Sequence, residues 1–251
     1  MTKNYFQLGL FLSTYLSLIW LLPSVGQAQE VSLAGLDLSQ EVQSWYDGQA
    51  GQDNSTLQTG IMIDVSRKTS LSHPYYKSGQ WKNGDLVYRD QSFSNVLMIY
   101  NIEQDALIIK RATDGGVLLG DPIQLISADV DSFHFMEADF EYIDQKVDVY
   151  STGFFEVLYQ GQVVSLLAKR SKIFKINDEA KLTYEEFNRY YLRDGDQIER
   201  VKSLSGVKKR YKEHAKKLKI YAKQHKIKKL NPKREKSFAT LIEYFDNQLI
   251  P

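Results

Sequence analysis

Between residues 79 and 170 short apolar or alternating runs return with turn formers between them, and no stretch carries the three-and-four spacing of an amphipathic helix. The runs are DLVYR from Asp85, VLMIYNI from Val96, ALIIKR from Ala106, PIQLI from Pro122, VDSFHF from Val130, FEYI from Phe140, VDVY from Val147, and the pair FFEVLYQ and VVSLLAK that flank Gly161 and Gln162. A further short strand is expected at IMIDVSR from Ile61. About nine or ten short strands without intervening helices predict an antiparallel sandwich or a partly open barrel. Asn83 and Gly84 read as a two-residue hairpin turn, and Asp114, Gly115, Gly116, Asp121 and Pro122 punctuate the later runs. Gly161 and Gln162 suit a type II′ turn that pairs Tyr159 with Val164. That register gathers Phe155, Val157, Tyr159, Val164, Leu166 and Ala168 on one buried face.

After residue 176 the pattern changes. KIFKI, ending there, reads as one more strand, while Thr183 with Glu186 forms a capping box for a short helix. YYLRDGDQIERV from Tyr190 reads as a hairpin turning at Asp194 and Gly195. From Ser203 the period is helical: Leu204, Val207, Tyr211, Ala215, Leu218 and Tyr221 recur at three and four with lysines on the other face. A last helix is expected from Asn231 as cap and Pro232 in its first turn, with Phe238, Leu241, Ile242, Phe245 and Leu249 on one stripe. The fold class is therefore α+β. A loosely ordered lead-in over 29–60 precedes a β-rich domain over 61–177, and a hairpin with basic helices follows over 178–251.

YNIEQDALIIK from Tyr100, GFFEVLYQGQVVSLLAKR from Gly153, YYLRDGDQIERV from Tyr190 and the closing LIEYFDNQL together resemble a group of uncharacterised exported proteins of Bacteroidota. In that group a strand-rich first part is followed by a hairpin and a lysine-rich helical tail. The resemblance covers residues 79–249. It implies location and architecture; it carries over no catalytic or binding residue.

Export is also what the first 28 residues predict: Lys3, an apolar run over 8–22, Pro23, then Gly26 and Ala28 before a cut after Ala28. The alternative is an uncleaved anchor, for which the run falls short of the roughly 20 residues of a bilayer span. With no cysteine in the chain, an exported form must hold together by packing alone. Nucleophilic, zinc, calcium and phosphate-loop signatures are all missing. There is no G-x-S-x-G elbow, and His73, His134, His214 and His225 fall in no zinc spacing. The stretch after Asp129 puts Phe133 and His134 where a calcium loop needs an oxygen ligand and a glycine. No catalytic, cofactor or metal residue is nominated.

The formal net charge of +1 hides an asymmetry. Residues 200–236 hold 16 of the 32 Lys and Arg but only Glu213 and Glu235 of the 31 acids, a local excess of +14 against −13 elsewhere. Lys208, Lys209, Arg210, Lys212, Lys216, Lys217, Lys219, Lys223, Lys226, Lys228 and Lys229 crowd the helical segment and repel one another. Three readings are open. The face is solvated, leaning on counterions or on the acidic remainder of the chain; it meets an anionic envelope component or an acidic protein; or it meets nucleic acid, against which export and the placement of Tyr211 and Tyr221 on the apolar stripe both argue. The leading expectation is an exported, non-enzymatic binding module offering this cationic surface. The alternative is a hydrolase or small-ligand binder with its site inside the β domain.

Overall fold

The computed structural model describes residues 56–65, 72–112, 118–145, 152–178, 181–227 and 230–249, all within one unit, Ser39–Pro251. The expected leader, most of the lead-in, the VDVY run, Lys228 and Lys229 lie outside the described residues.

Strands β1 (Gly60–Met62), β2 (Lys82–Tyr88), β3 (Gln91–Asn101), β4 (Ala106–Ala112), β5 (Leu118–Leu125), β6 (Val130–His134), β7 (Asp139–Ile143), β8 (Gly153–Tyr159) and β9 (Val164–Lys169) follow the apolar runs of the sequence. Next come β10 (Lys172–Ile176), β11 (Leu182–Glu186), β12 (Arg189–Asp194) and β13 (Gln197–Val201). Eleven of them form one antiparallel sheet in the order β1-β5-β4-β3-β2-β6-β7-β8-β9-β12-β13, while β10 and β11 make a separate ribbon. The sheet has two edges, β1 and β13, and is not closed into a barrel. The sheet crosses residue 177 without interruption, because β9 pairs with β12 from Val164 opposite Asp194 to Lys169 opposite Arg189.

The β12–β13 hairpin turns at Gly195 (φ 57°), just after Asp194, as expected, but two other turns differ from those the glycines suggested. Asn83 and Gly84 lie inside β2, opposite Leu97 and Val96. A side chain at Gly84 would collide with the His134 carbonyl and press on Met98, so this glycine serves close strand packing. The β2–β3 turn is made instead by Arg89 and Asp90, both at positive φ (53° and 61°), between Tyr88 and its partner Gln91. The β6–β7 turn repeats the device with Met136 and Glu137 (51° and 60°).

The β8–β9 pairing departs from the expected register by one residue at Glu156 and Val157 and by two at Tyr159. Val157 faces Leu167 and Glu156 faces Ala168, then an irregularity lets Tyr159 meet Leu166. Because side chains alternate between faces, a slip of one exchanges them. Phe155 and Val157 pack with Leu167 and Tyr191, whereas Val164, Leu166 and Ala168 pack with Tyr190, Leu192 and the helices. Both faces of β9 are consequently buried throughout. One cross-strand row, Leu86, Phe133, Phe140, Glu156, Ala168, Tyr190 and Val201, crosses seven strands on the helix-covered face. Its first part belongs to an aromatic core in which Tyr100 sits 5.2 to 5.8 Å from Phe133, Phe140 and Phe154, ring centre to ring centre. These rings, with Tyr76 and Tyr88, fill that face of the first half of the sheet.

The segment with the capping-box pattern is strand β11. Phe174 and Ile176 of β10 lie opposite its Tyr184 and Leu182, and such aromatic and aliphatic cross-strand pairs outweigh a cap that no apolar stripe follows. Helix α1 (Leu204–Arg210), a 3-10 turn over Lys212–His214 and helix α2 (Ala215–Gln224) replace the single helix that the periodicity predicts. The break is at Tyr211 (φ −112°, ψ 68°). Its hydroxyl donates to Asp194 at 2.8 Å and its ring lies 4.6 Å from Phe245, tertiary contacts that override helical propensity. Helix α3 (Glu235–Leu249) follows a 3-10 turn, Pro232–Arg234, in which the Asn231 side chain accepts the Lys233 N–H. Phe238, Leu241, Ile242 and Phe245 of α3 are buried against the sheet, together with Asp246.

Candidate cationic surface

The helices carry their lysines on the side that does not pack. Val207 of α1 and Leu218 and Ala222 of α2 are buried in the core shared with α3. Tyr221 is stacked between His225 (4.2 Å) and Tyr244 (4.0 Å), and His214 meets the edge of Phe245 at 5.5 Å. Two of the sequence's four histidines and both of its lysine-flanked tyrosines are thus packing groups. Lys209, Lys212, Lys216, Lys217, Lys219, Lys223 and Lys226 are exposed, and Lys208 is half-buried. Lys217 donates to Gln248 at 3.3 Å. None of these eight lysines is ion-paired with a carboxylate among the described residues.

Arg210 stands apart from the other nominated cations. It turns toward the β12–β13 hairpin, pairing with Glu199 at 2.5 Å and lying 3.6 Å from Asp194. Its Nε–H donates to the Tyr211 hydroxyl at 3.1 Å. Burial, followed by the hydrogen bond to Asp194, pushes the Tyr211 hydroxyl up to about 12. Arg210 and Tyr211 therefore clamp the start of the cationic segment to the sheet and leave the lysines as the outward-facing charges. Lys226 ends α2 in the left-handed region (φ 54°), where the Ile227 N–H reaches back to the Ala222 carbonyl at 2.8 Å. This is a helix stop normally given to glycine.

Three buried charged groups that the sequence reading passes over hold the platform under these helices. Asp246 projects from the apolar stripe of α3 into the β8–β9 loop. Its Oδ1 accepts the N–H groups of Val163 and Val164 at 2.9 and 2.7 Å, and its Oδ2 accepts the N–H of Gln162 and the hydroxyl of Tyr159 at 2.9 and 3.2 Å. Burial opposes the charge, but the amide donors of Val164, Gln162 and Val163 outweigh it and hold the carboxyl below its ordinary value. A side chain on Gly161 would run into this carboxylate and the Val164 carbonyl, so the glycine is required by close approach.

Arg170 forms the second group, bridging Glu156 at 2.6 Å and both oxygens of Glu235 at 2.6 and 3.0 Å. The Tyr76 hydroxyl donates to Glu156 at 2.9 Å, and the Tyr190 hydroxyl donates to Glu235. Burial works against the guanidinium charge, yet the hydrogen bonds it donates to Glu235 and Glu156 leave Arg170 more firmly protonated than usual. The third is Lys169, donating to Asp105 at 2.5 Å and to the Thr152 carbonyl at 3.1 Å. Burial lowers its pKa, and Asp105 works in the opposite sense. Asp105 also accepts the Tyr100 hydroxyl at 2.6 Å and the Phe154 N–H at 3.2 Å. Neighbouring residues 169 and 170 thus pair with different carboxylates, Lys169 with Asp105 and Arg170 with Glu156 and Glu235. Each carboxylate is met by donors from its surroundings, the arrangement expected of fixed supports.

Two polar positions within apolar patterns could have been found beforehand. Asp246 falls four residues after Ile242 and three before Leu249 on the stripe of α3, and Glu156 alternates with Phe154 and Leu158 on β8. Elsewhere, a surface groove of about 290 Å³ lies on the other face of the sheet, lined by Val65, Tyr75, Gly79, Gln80, Trp81 and Ile99, with the Lys110 ammonium 4.7 Å over Trp81. Among the described residues no group of three or more His, Cys, Asp or Glu is placed to hold a metal ion, and no helix is long and apolar enough to cross a membrane. No protein-family model, curated protein or solved structure matches the chain.

Proposed function

We propose that the chain is an exported cell-envelope protein that acts by binding, offering the lysines of α1 and α2 to an anionic partner such as an acidic envelope component or an acidic protein. The observation that supports this reading is the open lysine face. Lys209, Lys212, Lys216, Lys219, Lys223 and Lys226 are exposed and have no carboxylate partner among the described residues. Such a face carries a standing repulsion that an anion relieves, and each lysine near an anionic surface contributes about 1 kcal/mol. Helix-period spacing on a rigid platform keeps the charges together.

The test is binding of the protein lacking residues 1–28 to soluble polyanions and to anionic vesicles at low and high salt. Expected is an affinity that falls steeply with salt and drops more than tenfold in the triple variant Lys216→Glu, Lys219→Glu, Lys223→Glu. Salt-independent binding, or none, defeats the reading.

A further inference from the structure

Among the described residues, large apolar side chains are exposed at few places: Ile61 and Met62 on β1, Ile126, Val163, the β10–β11 region with Ile173, Phe174, Ile176 and Phe187, and Ile220 on α2. Their electrostatic settings differ. On the ribbon, Lys175 is paired with Glu185 and Lys172 stands opposite Glu186, so local charge is balanced. Ile220, 52% exposed, has Lys216 and Lys217 four and three residues before it, Lys219 beside it and Lys223 three after it. Residues at those spacings are its neighbours on the helix surface. The opposite side of α2, carrying Leu218 and Ala222, is already spent on the core, so Ile220 is the one apolar residue of this helix outside that packing stripe.

We infer that the anionic partner is a lipid surface, on which α2 lies with Ile220 entering the interfacial zone while Lys216, Lys217, Lys219 and Lys223 meet the headgroup phosphates. This rests on the reading of the lysine face as an anion-binding surface. A soluble polyanion would be met by the charges alone and would gain nothing from an exposed isoleucine ringed by ammonium groups. A membrane surface offers phosphate and hydrocarbon within a few ångströms of each other, the two chemistries that this face presents together. The axis of α2 then runs parallel to the membrane, and the protein is peripheral to it through this helix.

Two variants test the inference. Ile220→Ser removes the apolar element at an exposed position and leaves every lysine in place. Ile220→Cys, in a chain with no cysteine of its own, accepts an environment-sensitive fluorophore, with Asn83→Cys at an exposed site on β2 as reference. Vesicles of zwitterionic lipid with about 30% anionic phospholipid and, separately, polyglutamate and polyphosphate serve as probes. Expected is vesicle binding by the parent protein that weakens about fivefold or more in Ile220→Ser, unchanged binding to polyphosphate, and a blue shift on vesicles for the label at 220 but not at 83. Equal vesicle binding by both proteins without a blue shift overturns the lipid inference. So does binding to polyglutamate or polyphosphate without binding to vesicles, and in both cases the anion-binding reading survives. A parent protein that binds none of the three overturns that reading itself.

Discussion

Replacing Asp246 by Asn keeps the shape of the side chain and removes the charge that the β8–β9 loop is wrapped around. In the parent protein two oxygens receive four donors, three of them backbone N–H groups. The asparagine oxygen can keep one pair, such as Val163 and Val164, while its amide nitrogen then points a donor at the donors of Gln162 and Tyr159. Hydrogen bonds to a charged acceptor contribute about 1.5–3 kcal/mol each, neutral ones about 1. Gln162 is exposed and water can compensate it, so the net cost comes to about 2–3 kcal/mol. Urea unfolding of the two proteins at pH 7 measures it. A second signature lies in pH. The folded carboxyl titrates below its unfolded value of about 3.9, so its contribution is fully present above that value and is lost as pH falls through the folded pKa. The gap between parent and variant should therefore be constant from pH 7 to about pH 5 and close below about pH 4. A difference under about 0.5 kcal/mol at pH 7, or one that persists unchanged to pH 2.5, would refute the role assigned to this carboxylate.

Two further outcomes follow from the same framework. Arg170→Met leaves Glu156 and Glu235 without their shared cation in a site where Arg170 itself is 6% exposed, and should cost about 3–5 kcal/mol; adding Glu156→Gln and Glu235→Gln should restore most of it in urea titrations, and a triple variant no better than the single one contradicts the account. Lys226→Gly relieves a left-handed residue with a side chain (φ 54°) and should stabilise the end of α2 by about 0.5–1 kcal/mol, seen as a melting midpoint raised by about 2 °C; an unchanged or lowered midpoint removes the argument.

Strand content was legible because it depends on what each residue is, whereas register depends on turns whose residues carry no label. β3, β4, β6 and β7 stand where their apolar runs stand. Arg89 with Asp90 and Met136 with Glu137 turn the chain at positive φ without glycine, and no local pattern marks them. Gly84 and Gly161, which look like turn residues, are present because another chain segment comes too close for a side chain. Only the tertiary arrangement shows that use of glycine. The β8–β9 slip follows from the same cause. Once the loop over 160–163 is wound around a carboxylate from α3, the two-residue turn that would have paired Tyr159 with Val164 is no longer what joins the strands, and Phe155 and Val157 pass to the opposite face from Leu166.

The cationic surface shows how far spacing alone can go. Periodicity of three and four separates Leu218 and Tyr221 from Lys216, Lys219 and Lys223, and the structure keeps that separation. It cannot rank the cations, because the difference between Arg210 and Lys216 is made by residues distant in sequence: Asp194 and Glu199 on the β12–β13 hairpin draw Arg210 inward, and no carboxylate among the described residues pairs with Lys216. A guanidinium with its planar fork suits the fixed, half-buried pairing, while ammonium groups on flexible stems suit a partner whose anions are not held in one geometry. The distribution of the two residue types over this segment is thus itself an argument. Arg210 fastens the helices to the sheet, and the lysines, with Ile220 among them, stay outward; on the proposed reading they meet a surface of dispersed negative charge, which a headgroup layer would provide and a single shaped binding pocket would not.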